Sequence, residues 1–347
     1  SNTTTQTADE AKSRGRTVGT YGNIALSYKD MLYLNGTGRY DVVSSMPNGA
    51  RSFFYPSVSL GFVFTELPGL KDNKILPYGK IRGSVAQVGQ AGTYNEKIYY
   101  LGGAGSGFLS DGIVYPLGGV SGFRPNSTLY DPNLKPQNTS NWEAGIELKF
   151  LENRIGIDYT YSYQNATDQI FSVPMAGSTG YGSFVTNAGE MTSKAHELVF
   201  YVSPVRTPNF DWTINVNFTK IKNEVVSLAE GIESVSLVGF VTPYVAAFAG
   251  QTYPTIYGET MARDSKGNIL IDDDPNSWYY GMPMSGGSGK IGDVSPDFIM
   301  SFTNTLSYKW VSLSAQFDWK QGGDIYSGTN RLMALYGAAA YTEDRST

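Results

Sequence analysis

Apolar side chains recur at every second position through this chain, and no other feature limits its fold as tightly. In NWEAGIELKFLENRIGIDYTYSYQ, residues 141–164, Trp142, Ala144, Ile146, Leu148 and Phe150 alternate with Glu143, Gly145, Glu147 and Lys149. After Leu151-Glu152-Asn153 the pattern resumes, with Ile155, Ile157, Tyr159, Tyr161 and Tyr163 against Arg154, Gly156, Asp158, Thr160, Ser162 and Gln164. A period of two is the strand period, and a three-residue interruption makes a tight hairpin. The same test predicts about ten strands, at 18–28, 31–42, 53–66, 78–87, 140–150, 154–165, 193–203, 210–221, 298–308 and 311–321. At roughly ten residues each they are longer than the usual 5 to 6.

Connections between these strands alternate in length. Lys29-Asp30, Leu151 to Asn153, Pro204 to Asn209 and Lys309-Trp310 are short, 43–52, 88–139, 166–192 and 222–297 are long, and 67–77 is intermediate. In an up-and-down antiparallel array every short turn then lies at one end and every long loop at the other. That is the asymmetry of an all-β transmembrane barrel, with short periplasmic turns and long extracellular loops. Aromatic placement agrees: Trp212, Phe150, Tyr28, Tyr308 and Trp310 fall near the short-turn end, and Tyr161, Tyr163, Trp142, Phe317 and Trp319 near the long-loop end. Two interfacial belts would look like this. The plainer reading, that aromatics favour strands, accounts for their number but not their placement.

If the apolar set faces lipid, the charged set faces a wet interior. Slipping the register by one residue would turn Glu143, Glu147, Lys149 and Asp158 into hydrocarbon. A cation at midplane depth costs about 2–4 kcal/mol and an acid less, so several together would exceed a typical total stability of about 5–15 kcal/mol. The alternation is held by that cost. A spanning sheet also leaves no edge unpaired in lipid, and a barrel of about ten strands would have a narrow interior. The sequence is therefore expected to be part of a larger barrel.

Composition excludes several other classes. The chain has 347 residues, with 40 Gly, 25 Tyr, 17 Phe and only 16% charged residues, which suits aromatic-rich β structure rather than a helical bundle or disorder. A net charge of −5 with scattered Lys and Arg gives no nucleic-acid groove. The lack of Cys removes a disulfide framework, a thiolate metal site and a cysteine nucleophile. No apolar run approaches the roughly 20 residues of a spanning helix. The mean hydropathy of −0.24 is silent about barrels, whose strands are only half apolar. SNTTTQTADEAKSRGR, at the start, has no apolar signal core. Either a leader has been removed, or the sequence begins inside a longer protein.

The segments LKPQNTSNWEAGIELKFLENRIGIDYTYSYQNATDQIFSVPM and FVTNAGEMTSKAHELVFYVSPVRTPNFDWTINVNFTKIKNEVVSL strongly resemble the barrel of SusC/RagA-type TonB-linked (TonB-dependent) outer-membrane transporters. So do YGKIRGSVAQVGQAGTYN at 78–95, GDVSPDFIMSFTNTLSYKWVSLSAQFDWKQGGDIYSGTN at 292–330 and GTYGNIALSYKDMLYLNGTGRYD at 19–41. Together they cover most of the chain in family order, and the combination is specific, although none is a catalytic motif. The resemblance implies a single-chain barrel in the Gram-negative outer membrane, filled by an N-terminal plug and opened through the TonB system. It also implies a SusD-like surface lipoprotein as lid, and import of oligosaccharides or, in some members, peptides. Neither plug nor TonB-contacting box is among these residues, and AYTEDRST is unlike the aromatic-ended closing strand. The resemblance thus implies that residues 1–347 are a fragment of one β-barrel domain, about ten of some 22 strands, without plug or terminal strands.

Ligand contacts are expected at the long-loop end, where a rigid wall positions loops that lipid does not constrain. Tyr94, Tyr99, Tyr100 and Tyr115, and further along Trp278, Tyr279 and Tyr280, are candidates, because flat apolar faces with polar rims stack on sugar rings or peptide side chains. The alternative is that they pack loops together or against a lid protein. Inward-facing Arg39, Asp41, Arg82, Glu143, Glu147 and Asp158 either line the path, hydrogen-bond the plug, or form a salt-bridged wall with no further role. Asp272-Asp273-Asp274 lacks calcium-loop spacing and follows DSKGNILI, which reads as a hairpin with a Lys-Gly-Asn turn; a solvated tip is expected there, not a metal site. His196, the only histidine, shares its strand face with Leu198, Phe200 and Val202 and reads as a belt residue rather than a base.

No acid has the apolar surroundings that would raise its pKa for glycoside hydrolysis. GQAGTYN and GGAGSG lack the strand and helix that flank a phosphate cradle. No catalytic residue, metal or cofactor is assigned, and the chain is not read as an enzyme. The reading is gated, non-chemical import of an oligomeric nutrient through a barrel surrounded by outer-membrane lipid. Two rivals remain: a soluble all-β carbohydrate-binding or glycan-degrading protein whose apolar faces meet in a sandwich core, and a passive porin complete as given.

Overall fold

The alternating runs form one antiparallel sheet in the computed structural model of the chain, which describes residues 12, 14–71, 73–94, 99–101, 118–120, 122–239 and 242–343. Four strands come first: β1 (Thr17–Tyr28), β2 (Leu32–Val43), β3 (Ser52–Val63) and β4 (Tyr78–Gln90). Three short ones follow in the first long connection, β5 (Tyr99–Leu101), β6 (Phe123–Pro125) and β7 (Thr128–Tyr130). The wall resumes with β8 (Gln137–Phe150), β9 (Ile155–Pro174), β10 (Ser183–Arg206) and β11 (Phe210–Leu228). After β12 (Ser234–Gly239), β13 (Tyr244–Phe248), β14 (Thr255–Met261) and β15 (Ser285–Asp293), it ends with β16 (Phe298–Tyr308) and β17 (Val311–Gln321). A helix, α1 (Gly328–Leu335), follows.

The wall order is β1-β2-β3-β4-β8-β9-β10-β11-β16-β17, so each wall strand pairs with its neighbour in the chain, up and down, and β1 and β17 stand at the two ends of the path. The predicted architecture is the observed one. Its tight turns sit where the alternation breaks. Lys29 and Asp30 both adopt left-handed backbone, φ 52° and 53°, and Met31 N donates to Tyr28 O at 3.0 Å. Leu151, Glu152 and Asn153 are also left-handed, and Arg154 N donates to Phe150 O at 3.0 Å. This handedness matches the twist of the flanking strands.

Several strands outrun the alternation that predicts them. β9 and β10 remain paired from Ile155 opposite Val202 up to Pro174 opposite Ser183, so the connection expected at 166–192 narrows to residues 175–182 beyond the wall. β10 has 24 residues, an extended length of ~80 Å at about 3.3 Å per residue, far more than a membrane crossing needs. Ladder hydrogen bonds do not depend on side-chain polarity. Above the lipid, pairing therefore continues after the apolar period has ended, with bulges near Gly189 where the register shifts. On the opposite side β10 runs on to Arg206, which shortens the turn before β11 to residues 207–209. β3 ends earlier than expected, at Val63, in a single 3₁₀ turn, Phe64–Glu66.

Residues 222–297 are not a plain loop. β11 continues to Leu228, and β12-β13-β14-β15 form a separate four-stranded antiparallel sheet. Val225, Val235 and Ala247 pack it to the wall, with Phe171, Met191, Leu228, Ile232 and Tyr253 around them. A second cluster of Val43, Met46 and Leu134 gathers Phe53, Tyr94, Ile170 and Val185. Both cores lie at the long-loop end. The wall itself presents its apolar set outward: Ile24 is 67% exposed, Val85 58% and Phe317 66%. Among the described residues nothing clasps that face, which sets aside the sandwich rival.

Candidate functional site

Charged residues on the other face of the wall are paired into small networks. In β2, Arg39 Nε lies 3.0 Å from both carboxylate oxygens of Asp41, and Tyr55 of β3 donates its hydroxyl to the same carboxylate. Asp41 is buried, and Gly19 stands opposite it in β1, where a side chain would collide with the carboxylate. Two strands on from β2, Arg82 of β4 faces Gly145 of β8, which faces Thr160 of β9. A Cβ on Gly145 would lie 2.9 Å from Arg82 Nε. The glycine lets Arg82 reach across β8, donating from Nη1 and Nη2 to Asp158 at 3.2 and 2.6 Å and from Nη2 to Thr160 Oγ1 at 2.6 Å. A bidentate guanidinium–carboxylate pair of this kind fixes geometry as well as charge.

Glu147 pairs with Lys149 at 3.1 Å, and Glu143 accepts from Asn141 at 2.7 Å. Lys80 sits 5.9 Å from the centre of the Tyr33 ring. Tyr33, Asn35, Lys80, Arg82, Glu143 and Thr160 line a concavity of about 490 Å³ on this face. All six inward candidates, Arg39, Asp41, Arg82, Glu143, Glu147 and Asp158, thus lie on the polar face in local pairs. The structure supplies partners that alternation alone did not single out: Tyr55, Thr160 and Gly145. Parity was the available signal, since Tyr55 belongs to the same set as Ser57 and Ser59.

At the loop end the aromatic candidates separate. Tyr94 packs edge-on to Tyr130, ring centres 6.1 Å apart, as part of the Met46–Leu134 cluster, so its ring serves loop packing. Tyr99 and Tyr100 lie in β5, opposite Pro125 and Arg124 of β6. Tyr115 lies outside the described residues. Trp278, Tyr279 and Tyr280 stand out into solvent, with Trp278 91% exposed. They crown an extension of β14 and β15 in which Ile271 bridges Pro283 and Arg263 bridges Ile269. Ile269, Leu270, Ile271, Met282 and Met284 are exposed on the same extension, an apolar tip that the sequence reading missed because these residues do not alternate.

Hydrogen bonds within the loop stiffen this tip. Asp264 accepts from the side chain and backbone of Asn268 and from the amide of Lys266, and these bonds hold its carboxyl below the usual carboxylate range. Asp272 and Asp274 accept from the amides of Asp274 and Asn276 at 3.1 and 2.9 Å, and Ser277 donates to Asp272. The triple acid is a self-capped turn. Lower in the same sheet, partial burial raises the Asp293 carboxyl, but Lys290 at 2.7 Å and the Thr252 hydroxyl outweigh it, and the net direction is down. His196 lies on the apolar face of β10, its Nδ1 2.8 Å from the Tyr159 hydroxyl and its ring 5.0 Å from that of Tyr161.

The model of the TonB dependent receptor-like β-barrel family matches residues 1–342. The chain is similar to TonB-dependent receptor P26 of Formosa agariphila, 24% identical over 337 residues, covering 88% of this chain and 32% of that protein. It is also similar to TonB-dependent receptor SusC of Bacteroides thetaiotaomicron, at 26% identity and the same coverages. Among solved structures, the RagAB peptide transporter matches with a TM-score of 0.71 at 18% identity, covering 89% of this chain and 34% of that one. The chain spans about a third of the length of these relatives.

Proposed function

This chain belongs to the TonB dependent receptor-like β-barrel family, and on that premise we propose that it is part of the wall of a transporter importing oligomeric nutrients, glycans or peptides, across the outer membrane. One observation carries the reading: an exposed apolar face, with Val85 58% and Phe317 66% exposed, backs onto a face of paired ions and hydroxyls. A sheet wet on one side and oily on the other suits a lipid-embedded wall around an aqueous interior. Family members are receptors and transporters, and the step assigned to this chain makes and breaks no covalent bond.

In this reading residues 1–347 are a fragment of a single barrel domain whose plug, contacting the TonB system, lies in the remainder of the protein. The Arg39–Asp41 and Arg82–Asp158 networks stiffen the interior wall and face that plug. The exposed tip of Trp278, Tyr279 and Tyr280, with Ile271 and Met282, meets a SusD-like lipoprotein or the ligand it carries; large exposed apolar patches mark interaction sites. The name of one similar structure, a peptide transporter, supports the peptide class; the glycan class rests on the resemblance of the sequence.

The test is genetic. Deletion of the complete gene should abolish growth on one class of purified oligosaccharide or peptide as sole source and spare growth on the monomers, with rescue by the full-length gene. Undiminished growth on every oligomer would sink the import reading.

A further inference from the structure

The apolar face of the wall has a break in it. β3 pairs with β4 from Val63 opposite Lys80 only as far as Ser57 opposite Ala86. On either side pairing continues, β2 with β3 to Val42 opposite Ser52 and β4 with β8 to Gln90 opposite Gln137. The ladder stops one residue short of Pro56, which has no N–H to donate. Beyond it Phe53 lies over Gly89, where a Cβ would come within 2.7 Å of the ring. Where this ladder ends, a groove of about 360 Å³ lies on the outward face, running from Pro56 and Gln87 across β8 to Tyr163 and Asn165 of β9, within the ~300–1,000 Å³ range of small-molecule pockets.

Polarity changes along the groove. Pro56, Val58, Val85 and Trp142 line its lower part and Gln87, Ser140 and Asn165 its upper part, all with the parity of the outward set. None of the lining residues is charged. From Trp142 to Phe150 the strand rises ~26 Å, or ~19 Å along the membrane normal at a tilt of about 45°, most of an apolar band of about 25 Å, so the polar part of the groove falls toward its upper edge. Trp142 stacks with Tyr163, ring centres 5.9 Å apart, and 5.3 Å from Tyr161, so the groove lies within the upper aromatic belt. Asn165 donates to Glu190 at 2.9 Å, yet its buried Oδ1 has no protein partner. Asn138 Oδ1, further up the same face of β8, is also buried and unmet. A buried unmet acceptor costs about 1–3 kcal/mol.

We propose that this groove is a specific lipid site, holding one acyl chain of an outer-leaflet glycolipid. The chain lies along Pro56, Val58, Val85 and Trp142, and a sugar hydroxyl or linkage amide N–H donates to Asn165 Oδ1. The amide and hydroxyl side chains of the lining complement sugar hydroxyls and no cation is among them, which favours a glycolipid; Lys194, opposite Tyr163 in β10, and Lys135, in the adjoining cavity, are the cations a phosphate headgroup would need to reach, and the phosphatidylglycerol arm of the test decides between the two. The site rests on the outward assignment of the wall and not on the import reading, and each can fail alone.

Native mass spectrometry of the full-length protein, extracted from its own outer membrane in mild detergent, tests it. Wild type and Leu313→Trp, a control on the outward face of β17, should each retain one glycolipid; Val85→Trp, which fills the groove, should lose it. Gln87→Leu leaves the apolar part intact and should lower retention several-fold, so a folding defect in Val85→Trp does not leave the question open. Heat-modifiable gel mobility reports folding in each case. Lipid class is checked in phosphatidylethanolamine nanodiscs doped with galactosyl diacylglycerol or with phosphatidylglycerol, where only the former should be retained. Equal retention by wild type and both groove variants, or a preference for phosphatidylglycerol, would overturn the proposal.

Discussion

Gly145 shows how one residue decides what its neighbours do. Arg82 reaches Asp158 and Thr160 only because β8 carries no side chain at the crossing point, 2.9 Å from Arg82 Nε. Gly145→Ala should therefore displace Arg82 and cost about 1 kcal/mol, the scale of a partly exposed ion pair. In an Arg82→Ala background the same change should cost less, and a double-mutant cycle in urea refolding into lipid would measure the difference. Additive costs would show that Gly145 acts on the backbone alone. Asp264 gives a pH prediction. Its hydrogen bonds from Asn268 and Lys266 lower the folded pKa, so their stabilisation is complete above the unfolded value of about 3.9 and is lost as pH falls through the lower folded value. The Gly267 amide shift in glycine-labelled protein should follow that acid transition in wild type and not in Asp264→Asn. An identical titration in both would refute the assignment. Of the inward residues, parity located the charges, but pairing through Gly145 required the register of three strands.

Turns and strands were legible to different depths. The alternation breaks at Lys29-Asp30 and Leu151 to Asn153 became tight left-handed turns, since a hairpin's twist demands that backbone whatever the side chains. Non-glycine residues held there cost about 1–2 kcal/mol each. Replacing Lys29-Asp30 by Asn-Gly should raise stability by about 1 kcal/mol in denaturant titration, and a loss of stability would mean that the Lys29 contact with the Tyr28 ring, at 5.2 Å, matters more. Strand ends above the membrane escaped the alternation test, as β9 and β10 show by pairing up to Pro174 and Ser183. Outside lipid both faces can be wet, so side-chain periodicity stops reporting on a ladder that backbone hydrogen bonds continue. β12 to β15 escaped for a related reason: β13 buries Ala246 and Ala247 side by side, while β12 and β15 are exposed over most of their length, so neither pattern alternates.

At the scale of the molecule, the wall is a boundary between two solvents, and the two faces should answer substitution unequally. Ile146→Lys, between Trp142 and Phe150 on the apolar face, should cost about 2–4 kcal/mol in folding into lipid vesicles. Glu147→Leu, one position on, should cost less, since it removes a partly exposed pair with Lys149 worth about 1 kcal/mol or less. The opposite ranking would mean that the faces are exchanged. Sequence alone determined the period, the up-and-down order and the face each side chain joins, because lipid penalises every misplaced charge independently and the rule is therefore local. Tertiary structure decided the rest: how Arg82 meets Asp158, where β3 parts from β4, and how 222–297 folds upon β11. Those depend on which residues of distant segments stand opposite one another, and a period of two contains no information about its partner's register.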